Sequence, residues 1–499
     1  KQFYLRSRII SALIVKLGAP YQQIRLRFKT LFVLIMVAAL FPSIVLFLIQ
    51  YELSDAYAQS INDPNLAVDT FVEGLDSPTS MVFLNKDDIL VLEKKGQLRL
   101  VSNGQLQAQP VLQVPVNTES ERGLLGITVM NGSSSGSSNN QITETQSIFL
   151  YYTESGVSAG EGELRNRVYR YNWDGQTLAN PTLILDLPAI PGPNHDGGKL
   201  MIGPDNYLYA IIGDLNHDGK LQNFPNGPDP DDTSVIFRVS PADGSSAPDN
   251  PLSATSDPDN PLSSYYTYGI RNSFGLTFDP VTGNIWDTEN GPASNDEINL
   301  VRPGFNSGWQ TIMGPISSSG NTEADLVRFT GSQYADPILT WLDPVAVTDI
   351  EFLESTSLGE SYLNNVFVGD DNFGNLYYFV VNPDRTGFVL DSIPDLVVDN
   401  EEEQSSIVFG SGFGSITDIE TGPDDGYLYI LSYDNGIIYR VLPSTVSSSL
   451  ALPTESADAE TATTTMPSTV GEQESEAEGE SIVEGEEEDD DTEDNGNNN

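Results

Sequence analysis

Between residues 59 and 443 apolar side chains recur at every second position in short runs, and each run stops at Gly, Pro, Asn or Asp. A period of two puts successive side chains on opposite faces and predicts half-buried strands, whereas helical spacing is hard to find. One arrangement returns along the chain: an apolar pair, a turn bearing Asp, Asn or Gly, then an alternating strand. It runs through "MVFLNKDDILVLEKKGQLRLV", "LMIGPDNYLYAIIGD", "LTFDPVTGNIWDTENG", "IEFLESTSLGESYLNNVFVGDDNFGNLYYFVV" and "IETGPDDGYLYILSYDNGIIYRVLP". A sixth copy joins "LLGITVM", "SIFLYYT" and "NRVYRYNW" once the Gly/Ser/Asn-rich stretch 131–140 is taken as an extended turn. Units of several dozen residues that cannot each bury both faces alone predict an all-β fold, a six-bladed β-propeller.

Both ends break the pattern. In residues 1–58, Arg6, Arg8, Lys16, Arg25, Arg27 and Lys29 precede an uninterrupted apolar run at 30–49, and Glu52 and Asp55 follow it. The run is long enough to cross a bilayer as a transmembrane helix, and the positive residues before it predict a cytoplasmic N-terminus with everything downstream outside. Ala56-Tyr57-Ala58 offers a small-x-small site where a signal peptide is cut. Membrane anchor and cleaved signal both stay open, and both export the rest of the chain to the extracellular face. From residue 444 to 499 there is no Lys or Arg and almost nothing to bury, so this acidic tail is predicted to be disordered.

Charge narrows the partners. The chain carries 72 acidic against 23 basic residues, a net charge of −49, and most of the excess lies between the two ends. Such a surface repels nucleic acid and anionic lipid and suits high ionic strength or bound Ca²⁺. With no cysteine there are no disulfides or thiolate metal sites, so stability comes from packing or from hard cations.

Only two histidines are present, His195 and His217. His195 opens the stretch "HDGGKLMIGPDNYLYAIIGD", a tight turn followed by two short strands around Gly-Pro-Asp, and so stands at the mouth of a β-hairpin. In "DLNHDGK", Asp214, Asn216 and Asp218 precede Gly219 like the start of a Ca²⁺ loop, but the twelfth position is Pro225, and an Asx-rich turn is the competing reading.

Taken in order, "SERGLLGI" (120–127), "NHDGGKLMIGPDNYLYAIIGD" (194–214), "YGIRNSFGLTFDPVTGNIWDTENGP" (268–292), "NDEINLVRPGFNSGW" (295–309) and the closing "GPDDGYLYILSYDNGIIYRVLP" resemble the soluble PQQ-dependent glucose and aldose sugar dehydrogenases and the related sorbosone dehydrogenases. The likeness covers about residues 67–443 and implies a glucose/sorbosone dehydrogenase-like propeller. It implies that His195 is the general base that takes the proton of a sugar's anomeric hydroxyl while hydride passes to PQQ. A neutral imidazole suits that task because its ordinary pKa lies near operating pH. The resemblance further implies that Arg271 and Asn272 hold the quinone oxygens, with Arg271 stabilising the developing oxyanion. Asp214 falls where an aspartate supports the histidine. Glu121 falls where relatives have Gln or Glu beside the base, and its charge would hold His195 more basic than a glutamine would. For Ca²⁺, the carbonyls of Gly291 and Pro292 are expected at the cofactor's ion, and Glu297 with the Ser307 carbonyl at a second, structural ion.

The chain departs from the family at the basic residues that grip the cofactor's carboxylates. Ser415 and Thr417 stand where two arginines are expected, before Asp418, and Asp370, Asp371 and Asn372 stand around the expected lysine. Two functions follow. One is an exported quinoprotein-type aldose dehydrogenase that forms a lactone from a sugar substrate and passes electrons to an external acceptor. The other is a lapsed propeller that serves as a Ca²⁺-dependent recognition or scaffold module. The retained His195, Asp214, Arg271 and Asn272 favour the first.

Overall fold

The computed structural model describes residues 59–132, 146–155, 164–217, 223–224, 226–227, 229–253 and 260–446. The N-terminal segment 1–58, the tail beyond 446, and Asp218, Gly219 and Pro225 of the Ca²⁺-loop motif lie outside the described residues. Among the described residues no helix is long and apolar enough to cross a membrane.

Among the described residues the strands form six sheets, and the topology is that of an all-β propeller. Each sheet begins with a strand at the centre of the molecule: Pro78–Phe83, Leu124–Met130, Leu200–Ile202, Gly275–Phe278, Val347–Phe352 and Ile416–Thr421. From there each meanders outward through antiparallel hairpins, as the alternating sequence requires. The inner strands pack side by side in chain order, and the last of them packs against the first, so the ring closes.

Closure uses the start of the described chain. Leu66–Glu73 pairs antiparallel with Ile437–Pro443 and becomes the outer strand of the sheet that begins at Ile416. Ser60–Ile61 pairs with Val408–Ser411 at the edge of the preceding sheet. Backbone groups that would otherwise face solvent along two edges are thereby paired. The Ser444 amide, at the start of the predicted tail, donates to the Asn65 carbonyl (2.8 Å) and continues this pairing.

The apolar positions sort into six clusters, one between each pair of neighbouring sheets. Trp286 and Trp341, for example, meet Phe352, Val368 and Phe379 of the next sheet with all five side chains buried. Each sheet thus buries both faces against its neighbours, which explains why a single repeat could not fold alone.

Across the centre, charge rather than apolar contact joins the inner strands. Lys199 Nζ sits 2.7 Å from both Asp349 and Asp418, with all three side chains nearly buried. Asp418 also accepts hydrogen bonds from Ser80 Oγ (2.7 Å) and the Met81 amide (2.6 Å), and the Ile419 amide donates to Asp349 (2.9 Å). Burial opposes the ionised form of Asp418, yet Lys199 and the Met81 N–H hold its carboxyl below its ordinary value. Burial pushes Asp349 up, against the pull of the same lysine. Lys199→Met should therefore destabilise the fold by about 3–5 kcal/mol, because it leaves the buried Asp418 carboxylate without its counter-ion. Denaturant unfolding measures this, and a loss below about 1 kcal/mol would show that the channel carboxylates are solvated.

Candidate active site

The turns that join neighbouring sheets carry their polar residues to one end of the channel. There they line an open cavity of about 610 Å³ whose wall includes Glu121, His195, Arg271, Asn272 and Gly291. Lys199 belongs both to this cavity and to a smaller one of about 190 Å³ walled by all six inner strands. It separates the two.

His195 reaches the cavity from a turn in which it adopts a positive φ of 66°, followed by Gly197 and Gly198, also at positive φ. Gly213 permits the close approach of three segments: a Cβ there would lie 2.5 Å from the Arg271 carbonyl oxygen and 2.6 Å from that of His195. The imidazole Nδ1 lies 2.5 Å from Asp214 Oδ1. Asp214 is fully buried and also accepts from the Asn216 amide (3.0 Å) and from Trp309 Nε1 (2.7 Å). Its named partners all donate, as an ionised carboxylate requires. The ring proton is therefore on Nδ1, which leaves Nε2 as the basic nitrogen.

Glu121 lies next to His195 in the cavity wall and engages its main chain. Its Oε2 accepts from the main-chain N–H of His195 (2.6 Å) and from Asn272 Nδ2 (3.1 Å), and so pins the backbone of the turn to the neighbouring segment. Arg271 and Asn272 sit just before the inner strand Gly275–Phe278. The Asp214 amide donates to the Arg271 carbonyl (2.8 Å), Arg271 Nη1 donates to the Asn290 carbonyl (2.8 Å), and the guanidinium lies over the Trp309 ring at 5.3 Å. Burial pulls the Arg271 pKa below its ordinary value, against the opposing charges of Asp214, Glu289 and Glu121. Arg271 Nε and Asn272 Oδ1 are buried with no hydrogen-bond partner among the described residues.

The model of the glucose/sorbosone dehydrogenases matches residues 75–440. The chain belongs to this family. Over 389 residues it is 25% identical to an aldose sugar dehydrogenase of Escherichia coli, a likeness that covers 75% of this chain and 92% of that protein. Over 277 residues it is 30% identical to quinoprotein glucose dehydrogenase B of Acinetobacter calcoaceticus, covering 51% of this chain and 54% of that one. The PQQ-bound structure of an aldose sugar dehydrogenase from Streptomyces coelicolor shares the fold at a TM-score of 0.54 and 23% identity, covering 77% of this chain and 99% of that one.

The ion positions that family resemblance implies are divided in this member. Gly291 lines the cavity and its amide donates to Asp296 (2.8 Å), whereas Pro292 beside it is exposed. Glu297 is buried away from the cavity and accepts from the Gly314 amide and from Asn299 Nδ2. Ser307 turns its hydroxyl to Glu289, the residue directly opposite Glu297 across the strand pair. Burial pushes the Glu289 carboxyl up to about 7 and drives Glu297 well above its ordinary value, with the Glu289 charge adding to the second effect. Among the described residues no three His, Asp or Glu side chains are arranged to hold a metal. A cation at either position would lean on main-chain oxygens.

On the wall where family members carry basic residues, Ser415 donates to Asp371 and Thr417 Oγ1 donates to the Pro78 carbonyl (3.0 Å). Asp370 is spent on its own turn, accepting from the amides of Phe373, Gly374 and Asn375 and from the Tyr377 hydroxyl.

Sequence reasoning missed three residues here: Lys199, Trp309 and Glu289. A signal for the first existed in the tetrapeptide Thr-Asp-Ile-Glu, which occurs at 348–351 and again at 417–420. It sets Asp349 and Asp418 at matching places on two inner strands.

Beside His195, Asp196 is fully buried, accepts from Asn166 Nδ2 (3.0 Å), and leaves Oδ2 without a partner among the described residues. Burial pushes its pKa up to about 7. The native carboxyl then keeps its proton where the unfolded chain has lost it, so this group's contribution to stability falls as pH rises from about 4 to 7 and stays low above that. Asp196→Asn should melt like the wild type near pH 4 and at a higher temperature at pH 8. Equal melting points at pH 8 would refute the burial effect.

Proposed function

We propose that the chain is an exported, quinoprotein-type sugar dehydrogenase that oxidises the C1 hydroxyl of an aldose to the lactone, and that its six sheets are the blades of a six-bladed propeller with the active site in the larger cavity. The observation that carries this reading is the Asp214–His195 pair on a cavity wall shared with Arg271. His195 Nε2 takes the hydroxyl proton, Asp214 balances the imidazolium that results, and Arg271 holds the negative charge that develops on the accepting oxygen. Glu121 keeps the His195 and Asn272 segments in register.

The residues present fit the quinone end of PQQ. Arg271 Nε is a buried donor and Asn272 Oδ1 a buried acceptor, both without a protein partner among the described residues. PQQ held by Arg271 and Asn272 would supply the acceptor for the hydride leaving C1, and the Gly291 segment would offer main-chain oxygens to its Ca²⁺. At the carboxylate end, Ser415, Thr417 and Thr348 line the wall with hydroxyls, and Lys94 lies on the same cavity. Each charge-assisted pair replaced in this way weakens binding by about 1.5–3 kcal/mol, or very roughly one to two decades of affinity. Membrane attachment or secretion follows from the run at 30–49, and electrons leave to an external acceptor.

Titration of the full chain with PQQ in the presence of Ca²⁺, followed by dye reduction with a panel of aldoses, tests the reading. Binding in the micromolar range and turnover are expected, and His195→Ala should abolish turnover while PQQ binding stays within about twofold. Absence of PQQ binding at high micromolar concentration would overturn the dehydrogenase reading. The hydroxyl-lined wall would then mark a recognition or scaffold module.

A further inference from the structure

Trp309 ends the "GFNSGW" segment, is nearly buried, and touches both arms of the site. The edge of its indole donates from Nε1 to Asp214 Oδ2 (2.7 Å), on the carboxylate whose other oxygen holds the imidazole. Its face lies 5.3 Å below the Arg271 guanidinium. The turn that presents it is fixed by main-chain contacts: the Trp309 amide donates to the Gly269 carbonyl (3.1 Å), and the Trp309 carbonyl accepts from Asn223 Nδ2 (3.0 Å). Asn223 and Asn306 exchange a reciprocal pair of hydrogen bonds, both 2.8 Å, directly beneath. Gly269, at a φ of 80°, leaves room for that pair, since a Cβ there would meet Asn306 Oδ1 at 2.3 Å.

We infer that Trp309 is a positioning residue that sets the orientation of the Asp214–His195 pair and of Arg271 together. An aspartate free to rotate would present either oxygen to Nδ1 and let the imidazole swing. The indole N–H removes one of these choices by occupying Oδ2, and the ring beneath the guanidinium stabilises a cation that has no carboxylate in direct contact among the named hydrogen bonds. One rigid side chain thus spaces the base from the charge-stabilising group, which a proton transfer coupled to hydride loss requires. The inference rests on His195 being the base of the proposed reaction.

Trp309→Phe keeps a ring under Arg271 and deletes the donor to Asp214. In the PQQ- and Ca²⁺-loaded full chain, kcat should fall about tenfold while the sugar KM and the PQQ affinity stay within about twofold. In an Asp214→Asn background the same change should cost less than about twofold, because its route of action is already broken. An unchanged kcat, or an equal loss in both backgrounds, would overturn the inference. A second readout does not need turnover: the His195 Nδ1 proton resonance should shift in Trp309→Phe while the His217 signals stay in place. If the variant does not fold, the Trp309 indole N–H resonance, one of four in the chain, should move on Asp214→Asn, and a stationary signal would overturn the inference. A wild-type protein without turnover but with these shifts would defeat the proposed function and leave the positioning geometry standing.

Discussion

The ion pairs of Lys199 with Asp349 and Asp418 are the constraint on which the rest of the molecule depends. A ring of sheets packed face to face has strong apolar contacts between neighbours and leaves a narrow axial channel in which Lys199, Glu351 and Glu420 stand among apolar side chains. Inner-strand residues meet there at a narrow channel, and buried polar groups in it must find partners among themselves. Lys199 resolves this by joining three inner strands through ion pairs, while Asp418 draws in a fourth through Ser80 and Met81. The same bridge closes the channel to about 190 Å³ on one side and leaves about 610 Å³ open on the other. The location of the active-site cavity is therefore a consequence of how charge is balanced at the axis.

Above that floor the chemistry rests on a relay of orientation. Asn223, Asn306 and Gly269 hold the turn of Trp309; Trp309 holds Asp214; Asp214 holds His195. Glu121 ties the backbone of the histidine turn to Asn272. None of these contacts is long, and each joins segments far apart in the chain. Together they hold the imidazole in one orientation, with Nδ1 turned to Asp214 and Nε2 left free of that carboxylate.

Cations are scarce in this chain, and the structure shows how the few present are used. Lys199 and Arg271 serve the axis and the site. Arg385 pairs with Asp279 (2.6 Å) between neighbouring sheets, and Arg440 pairs with Asp69 (2.8 Å) across two adjacent strands of one sheet. The cavity wall that carries basic residues in the family carries Ser415, Thr417 and Asp371 here, so the site is less positive on the side away from His195. One wall of the cavity thus gathers His195, Arg271 and Asn272, and another presents the hydroxyls of Ser415 and Thr417.

Strand positions and hairpin turns could be read from the sequence, because period-two alternation and Gly-Pro-Asp turns are local signals governed by neighbouring residues. The candidates His195, Asp214, Arg271 and Asn272 could also be named there, through the motifs that resemble the glucose/sorbosone dehydrogenases. What the sequence could not express was which side chain meets which across the ring. Glu121 meets the main-chain N–H of His195, Trp309 donates to Asp214, and Lys199 reaches two aspartates on other inner strands. Such contacts depend on closure, which brings six inner strands to one axis, and on the few tenths of an ångström that decide whether a donor reaches an acceptor. The sequence by itself determined the strands, the turns and the chemical types at the site, since these follow from local backbone preference and burial. Only the tertiary structure decided the partners, because hydrogen bonds and ion pairs between residues a hundred or more positions apart exist only once the ring has closed.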